Sequence, residues 1–298
     1  LEVESADSSL LEGCTNLDDE ASILFTSGST GPAKGVRYTH RIFDAQTRHI
    51  QSMYGLQAGE IDLPCFPLFG LFTLAQGMTV IIPDMDPTKP AQAKPSLLVE
   101  AIKDHGVTNA FASPSLWKNL AAWCLKEKVQ LPTLRRVLSA GAPIPPKLHL
   151  DFQQILADDV EVHTPYGATE SLPVATIASK EVLADTQYQT TDGAGTCVGH
   201  LAPDVTVRII AISDEPIATW SDELCVETGQ IGEICVKGTV VTTEYKEEPE
   251  KTALAKIAEE EHVWHRMGDL GYFDLNSNFR FLGRKAERIE TSDGPLET

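Results

Sequence analysis

The sequence predicts an α/β fold, a mostly parallel sheet with helices on its faces, followed by a smaller β-rich sub-domain. Three observations carry the prediction. Short apolar runs alternate with helical patterns from Ile23 to Pro165, glycine-rich turns fall directly after strand-like runs, and beyond about residue 172 the sequence becomes strand-rich. In order, "ILFT" (23–26), "VIIP" (80–83), "NAFA" (109–112), "RVLSA" (136–140) and "VEVHTP" (160–165) read as strands. Helical patterns occupy 41–54, 95–105, 116–126 and 145–156. In such a sheet, ligands bind at the carboxyl ends of the strands. Further on, "VTVRIIAI" (205–212), "GEICVKG" (232–238) and "GYFDLNSNFRFLG" (271–283) read as strands, the last as a hairpin turned at Asn276 to Asn278. Segment 244–262 is charged and helix-prone, and reads as a solvated surface helix or loop without a function. The expected division is a nucleotide-binding α/β portion over 1–172 and a β-rich sub-domain over 173–283.

Composition narrows the function classes. With 298 residues, 42% of them hydrophobic, the chain can bury a large core as one big domain or two. Lys and Arg total 24 against 43 Asp and Glu, a net charge of −19, which disfavours nucleic acid and anionic membrane as partners. An anionic ligand therefore needs a local device. The six cysteines form no CxxC pair, so reduced thiols in a cytoplasmic protein are expected, without a cysteine metal site. No apolar run approaches the roughly 18 residues of a membrane span, and the acidic start lacks the regions of a signal peptide. The expectation is a soluble chain with no integral membrane segment.

The local device is "ILFTSGSTGPAKGVRYTH" (23–40). Glycines let a backbone approach a ligand closely, while hydroxyls and an ammonium supply donors, a composition that suits phosphate. The ordinary P-loop pattern GxxxxGK[ST] fails here: five residues after Gly28 stands Ala33 rather than glycine, and Lys34 is followed by Gly35 rather than a hydroxyl. What remains is Ser27, Ser29 and Thr30 between and beside Gly28 and Gly31, with Lys34 at the exit. An ordinary Gly/Ser turn is the alternative.

Four further motifs follow in order: "SAGAP" (139–143), "YGATE" (166–170), "HRMGDLGYFD" (265–274) and "GRKAER" (283–288). Together with the phosphate loop they resemble the signature series of the AMP-forming adenylating enzymes, the superfamily of acyl-CoA synthetases and peptide-synthetase adenylation domains. Within it, "TPYGATESLPVA", "GAGTCVG", "VRIIAI" and "RKAERIETSDGPLET" look most like the β-lactone synthetases of bacterial long-chain olefin biosynthesis. The resemblance implies the large N-terminal domain of that fold, with mixed sheets sandwiched by helices plus a smaller β-rich sub-domain. It also makes 284–298 a hinge and the start of a C-terminal domain. It implies ATP and Mg²⁺ as cofactors, with CoA as a further candidate, and a fatty or β-hydroxy fatty acid as substrate.

Residue roles carry over on the same resemblance. Thr26, Ser27, Gly28, Ser29, Thr30 and Gly31, with Lys34, would hold the β and γ phosphates and stabilise the leaving pyrophosphate. Thr169 would bond the α-phosphate, and Glu170 would hold Mg²⁺, a hard ion suited to carboxylate and phosphate oxygens. Tyr166 with Gly167 would face adenine, and the Gly141-Ala142-Pro143 backbone would pass close to the base. Asp269 would accept the ribose hydroxyls, and Arg284 would contact ribose and phosphate. Each has a plainer reading: core packing for Tyr166, a turn cap for Asp269, a surface salt bridge for Arg284.

Three departures stand out. Ala33 occupies a usual proline position, Glu287 replaces the hinge aspartate, and Gly70 in "FPLFGLF" (66–72) stands where histidine is common, which would open room for a larger acyl chain. The family's N-terminal lobe and C-terminal catalytic lysine have no counterpart in these residues, so a piece of a longer protein is expected, impaired in adenylation alone and prone to oligomerise through uncovered apolar surface. The leading function is acyl-adenylate formation leading to a β-lactone. Transfer of the acyl group to CoA and a non-catalytic nucleotide-binding module are the alternatives.

Overall fold

A computed structural model describes residues 16–26, 32–291 and 294–296. The chain order is β1 (Glu20–Phe25), β2 (Gly35–Thr39), α1 (His40–Tyr54), β3 (Ile61–Pro64), α2 (Gly70–Ala75), β4 (Thr79–Val80), α3 (Pro95–His105), β5 (Asn109–Ala112), α4 (Pro114–Glu127), β6 (Arg136–Ser139), α5 (Pro146–Gln153), β7 (Glu161–Ala168) and β8 (Ser171–Ala178). There follow α6 (Ser179–Glu181), α7 (Gln187–Thr191), β9 (Thr196–Leu201), β10 (Thr206–Ile210), β11 (Gly232–Lys237), α8 (Pro249–Ala255), β12 (Lys256–Glu259), β13 (His262–Phe273), β14 (Phe279–Arg284), β15 (Ile289–Thr291) and β16 (Gly294–Leu296).

One twelve-stranded sheet organises the described residues, in the order β10-β11-β13-β14-β9-β8-β7-β6-β5-β3-β4, with β12 beside β13. From β4 to β7 the neighbours are parallel; from β7 to β10 they are antiparallel. The change of pattern near residue 172 is thus a switch of strand direction within one continuous sheet. β8 begins at Ser171 and pairs with β7 on one side and β9 on the other.

Strand alternation distributes the core. Ala110, Ala112 and Val137 face α3, α4 and α5, where Ile102, Trp117, Leu120 and Phe152 pack. Their neighbours Phe111 and Leu138 face the other way, toward Ile50 and Tyr54 of α1 and Phe72 of α2. Ala45 and Met53 of α1 also pack against the antiparallel half, with Val174, Val198, Val236 and Met267. One helix therefore bridges both halves of the sheet. Among the described residues no helix is long and apolar enough to cross a membrane.

The structure corrects three expectations. "VIIP" supplies only Val80 to the sheet, as the second residue of the two-residue strand β4, while the neighbouring strand β3, "IDLP", gives no strand signal because Asp and Pro are depleted in strands. Segment 244–262 is not a solvated helix: α8 spans Pro249–Ala255 only, β12 pairs with β13, and Tyr245, Lys256 and Ile257 are buried. Gly70 does not widen an acyl site. It starts α2, and a Cβ there would meet Pro64 Cγ at 3.0 Å and Val80 Cγ1 at 3.1 Å, so glycine lets α2 lie close on β3 and β4.

Candidate active site

A cavity of about 970 Å³ opens at the carboxyl ends of β6 and β7 and extends along the α1/α2 face of the sheet. The β7–β8 hairpin places its first residues. Ala168 pairs with Ser171, so Thr169 and Glu170 form a two-residue tip. Gly167 makes that tip possible, since a Cβ there would stand 2.8 Å from Ser171 O and 3.0 Å from Leu172 Cβ. The tip is then fixed through its carbonyls. Tyr38 Oη donates to Thr169 O at 2.5 Å, and Thr242 donates to Glu170 O from its amide at 2.9 Å and its hydroxyl at 3.1 Å.

Glu170 is buried and anchors a charged cluster. Tyr245 Oη donates to Glu170 Oε1 at 2.5 Å, Lys34 Nζ donates to Tyr245 Oη at 2.9 Å, and Lys34 Nζ lies 3.6 Å from Glu170 Oε1. Burial, with the Glu170 charge beside it, raises the Tyr245 phenol far above its ordinary range, so it remains a donor. Lys34, 32% exposed, also lies over the Tyr245 ring at 4.4 Å. Behind this group Lys256 donates to Thr242 O at 2.5 Å and to Thr242 Oγ1 at 3.2 Å; burial pushes its ammonium down to about 7. His265 lines the cavity with Nδ1 3.2 Å from Ala255 O, and burial together with the Lys256 and Lys34 charges holds it neutral.

A second cluster lies across the cavity. Asp269 accepts from Tyr166 Oη at 2.6 Å through Oδ2 and from Arg284 Nη1 at 2.6 Å through Oδ1. Burial raises the Asp269 carboxyl and the Arg284 charge opposes that rise. The Tyr166 ring stands edge-on to Phe279 at 5.7 Å and tilted to Phe281 at 5.8 Å, which leaves it wedged at the cavity wall.

Thr26, Lys34, Gly141, Tyr166, Gly167, Thr169, Glu170 and Arg284 thus all line one cavity, with Asp269 behind two of them. Thr26 and Lys34 pair reciprocally: Thr26 N donates to Lys34 O at 3.0 Å, and Lys34 N to Thr26 Oγ1 at 3.0 Å. This joins the two ends of the loop; Ser27, Gly28, Ser29, Thr30 and Gly31 lie outside the described residues. Ala142 and Pro143 do not line this cavity, and Pro143 borders a second one of about 750 Å³ beside Tyr272 and Gly283. The sequence does not single out Tyr245, His265 or Lys256: Tyr245 and Lys256 lie in a segment whose charge reads as solvent-facing, and His265 opens a motif whose chemical signal is the aspartate, Asp269.

The far arm of the cavity is apolar, lined by Ile50, Tyr54, Phe69, Phe72, Phe111 and Leu138. Asp62, 1% exposed, sits at its end, where burial pushes the carboxyl up to about 6. A carboxyl with a higher pKa folded than unfolded binds more protons when folded, so stability falls as pH rises from about 4 to about 6 and stays lower above. That shift of about two units corresponds to about 3 kcal/mol. Asp62→Asn is therefore expected to be more stable than the parent at pH 8, with the gain shrinking as pH falls from about 6 to about 4 and absent below; urea midpoints across pH check it, and a pH-independent difference would contradict it.

Among the described residues no group of three or more His, Cys, Asp or Glu side chains gathers to hold a metal. Glu170, a buried carboxylate on the cavity wall close to Lys34, fits Mg²⁺, which binds through one or two carboxylates plus substrate phosphates.

A protein-family model described as AMP-binding enzyme matches residues 3–246. The chain is 50% identical over 289 residues to an olefin beta-lactone synthetase of Stenotrophomonas maltophilia and 47% identical to one of Xanthomonas campestris, covering 95% of this chain and 51% of each relative. It spans about half the length of the curated relatives it matches. Among solved structures it resembles the O-succinylbenzoate coenzyme A synthetase of Bacillus subtilis in complex with AMP, with a TM-score of 0.74 and 23% identity over 95% of this chain and 53% of that one. The same synthetase with ATP and magnesium ion matches at a TM-score of 0.72 with 23% identity, over 95% of this chain and 54% of that one.

Proposed function

The chain belongs to the AMP-binding enzyme family, and on that premise we propose that its cavity activates a carboxylic acid as an acyl-adenylate, the acid being a long-chain β-hydroxy acid that closes to a β-lactone. The observation that supports this reading most is the continuity of one cavity between a charged pole, with Lys34, Glu170, Tyr166 and Arg284, and an apolar arm. Such a shape suits a nucleotide at one end and an acyl chain at the other. The relatives named olefin beta-lactone synthetase supply the product class.

In this reading the acid's carboxylate oxygen bonds to the α-phosphorus of ATP and pyrophosphate leaves. Lys34 neutralises the leaving phosphates, and Tyr245 keeps its ammonium in place. Mg²⁺ bound at Glu170 would supply charge stabilisation on the phosphate oxygens. Thr169 contacts the α-phosphate and Tyr166 borders the base, while Asp269 accepts the ribose hydroxyls in exchange for its bonds to Tyr166 and Arg284. The substrate's own hydroxyl then attacks the activated carbonyl and expels AMP. The hinge and start of a C-terminal domain over 284–298 belong to the same reading.

Acid-dependent ATP–pyrophosphate exchange by the intact gene product tests the first step, and product analysis tests the second. A lactone formed without CoA is expected; a thioester formed with CoA, and no lactone without it, would overturn the lactone assignment. Asp269→Ala is expected to weaken AMP binding by about 1–3 kcal/mol through loss of charge-assisted hydrogen bonds. Unchanged affinity by calorimetry would remove Asp269 from the ribose role.

A further inference from the structure

The apolar arm of the cavity ends on a polar group. It runs from Gly141 and Tyr166, at the carboxyl ends of β6 and β7, past Phe111 and Leu138 to Asp62 and Asn109 near the amino ends of β3 and β5. Three residue steps separate Asn109 from Ala112, so at about 3.3 Å per residue this end lies about 10 Å below the strand ends.

The end is closed by side-chain bonds. Asp62 Oδ2 accepts from Thr73 Oγ1 at 2.7 Å, and Asp62 Oδ1 accepts from Asn109 Nδ2 at 2.6 Å. These two bonds tie α2 and β5 to β3 across the bottom of the arm. Asn109 Oδ1 is buried there without a partner among the described residues, so the floor already carries one unmet acceptor. The layer next to it in sequence is also charged: Glu60, just before β3, pairs with Arg136 at 2.7 Å and Arg135 at 3.2 Å. An alkyl terminus pushed to this depth would have to displace or bury those polar groups without replacing their hydrogen bonds, which is unfavourable.

Resting on the reading that this arm takes the acyl chain, we propose that Asp62 is a specificity-determining residue: its carboxyl group, held by Thr73 and Asn109, is the floor that limits how long a chain the enzyme accepts. The same contacts make Asp62 a pin between α2 and the sheet, so the test must read selectivity rather than amount of activity. The ratio of kcat/KM between a longer and a shorter acid does so, because it does not depend on the fraction of folded enzyme.

The experiment uses the full-length protein, ATP–pyrophosphate exchange, and a ladder of saturated acids of increasing length. Asp62→Ala is expected to raise the ratio for acids beyond the parent's limit about tenfold, because it opens the side-chain volume at the floor and removes the carboxylate that an alkyl terminus would otherwise have to displace. Asp62→Asn is expected to keep the parent's ladder, since its amide can accept from Thr73 and donate to Asn109 Oδ1 once that side chain turns. Thr73→Val, which loosens α2 from the floor, is expected to shift the ladder as Asp62→Ala does and supplies the readout if the alanine variant fails to fold. An unchanged ladder in the alanine variant, or an equal shift in the asparagine variant, overturns the floor alone. Absence of exchange with every acid in the parent protein overturns the acyl-adenylation reading, and this inference with it.

Discussion

Lys34→Ala is expected to slow acid-dependent ATP–pyrophosphate exchange by about 10²–10³-fold, the range found when one preorganised charge-stabilising donor is removed from a reaction centre. Lys34 is the partly exposed cation of the cluster, held by Tyr245 at 2.9 Å and balanced by Glu170 at 3.6 Å. Its role in the proposed reaction lies with the β and γ phosphates. AMP lacks both, so AMP affinity is expected to change far less than the exchange rate. The comparison needs two measurements on one variant, calorimetry with AMP and exchange with ATP. Equal losses in both would move Lys34 from the leaving group to general nucleotide binding. Tyr245→Phe provides a graded companion, since it removes the hydroxyl that joins Lys34 to Glu170 and leaves the ring under the ammonium.

The second large effect is on stability. Glu233 sits in β11 with its side chain 1% exposed, beside Arg266 at 2%. Its Oε2 accepts from Arg266 Nη2 at 2.6 Å and Nε at 3.1 Å, and its Oε1 lies 2.9 Å from Lys285 Nζ. Arg266 also donates to the carbonyls of Glu215 at 2.8 Å and Leu254 at 3.1 Å, so it cannot swing out to water without breaking those contacts. Glu233→Ala leaves buried Arg266 facing Lys285 at the cavity wall with no anion between them and is expected to cost about 3–5 kcal/mol. The exposed pair Arg48 and Asp44 serves as the control, because Arg48→Ala at a solvated helix position is expected to stay within about 0.5 kcal/mol. Denaturant midpoints at unchanged slope read both. A loss below about 1 kcal/mol at Glu233 would mean that water or rearrangement compensates the pair.

Four of the helices were legible because their signal is local. Apolar spacing predicts helices over 41–54, 95–105, 116–126 and 145–156, and α1, α3, α4 and α5 lie there. Strand β3 was not, because its Asp62 and Pro64 are poor strand residues that the sheet accepts only for what surrounds them: Asp62 for Thr73 and Asn109, Pro64 at the strand's last position. Segment 244–262 misleads for a related reason. Its many charges suggest solvent, yet Lys256 is buried against Thr242 and Tyr245 against Glu170, contacts that composition does not record.

What the sequence by itself determined was the family, through five short motifs in order, and the α/β alternation, through periodicities that each segment carries alone. The tertiary structure decided which distant residues meet. Tyr245 stands 75 positions from Glu170 and 211 from Lys34, Tyr166 stands 103 from Asp269, and Asp62 stands 47 from Asn109. Hydrogen bonds and ion pairs across such separations leave no period in the chain, because they depend on how the sheet orders its strands rather than on any residue's neighbours. The motifs mark the charged pole, and the bonds that tie α2 and β5 to Asp62 of β3 lie where the apolar arm stops.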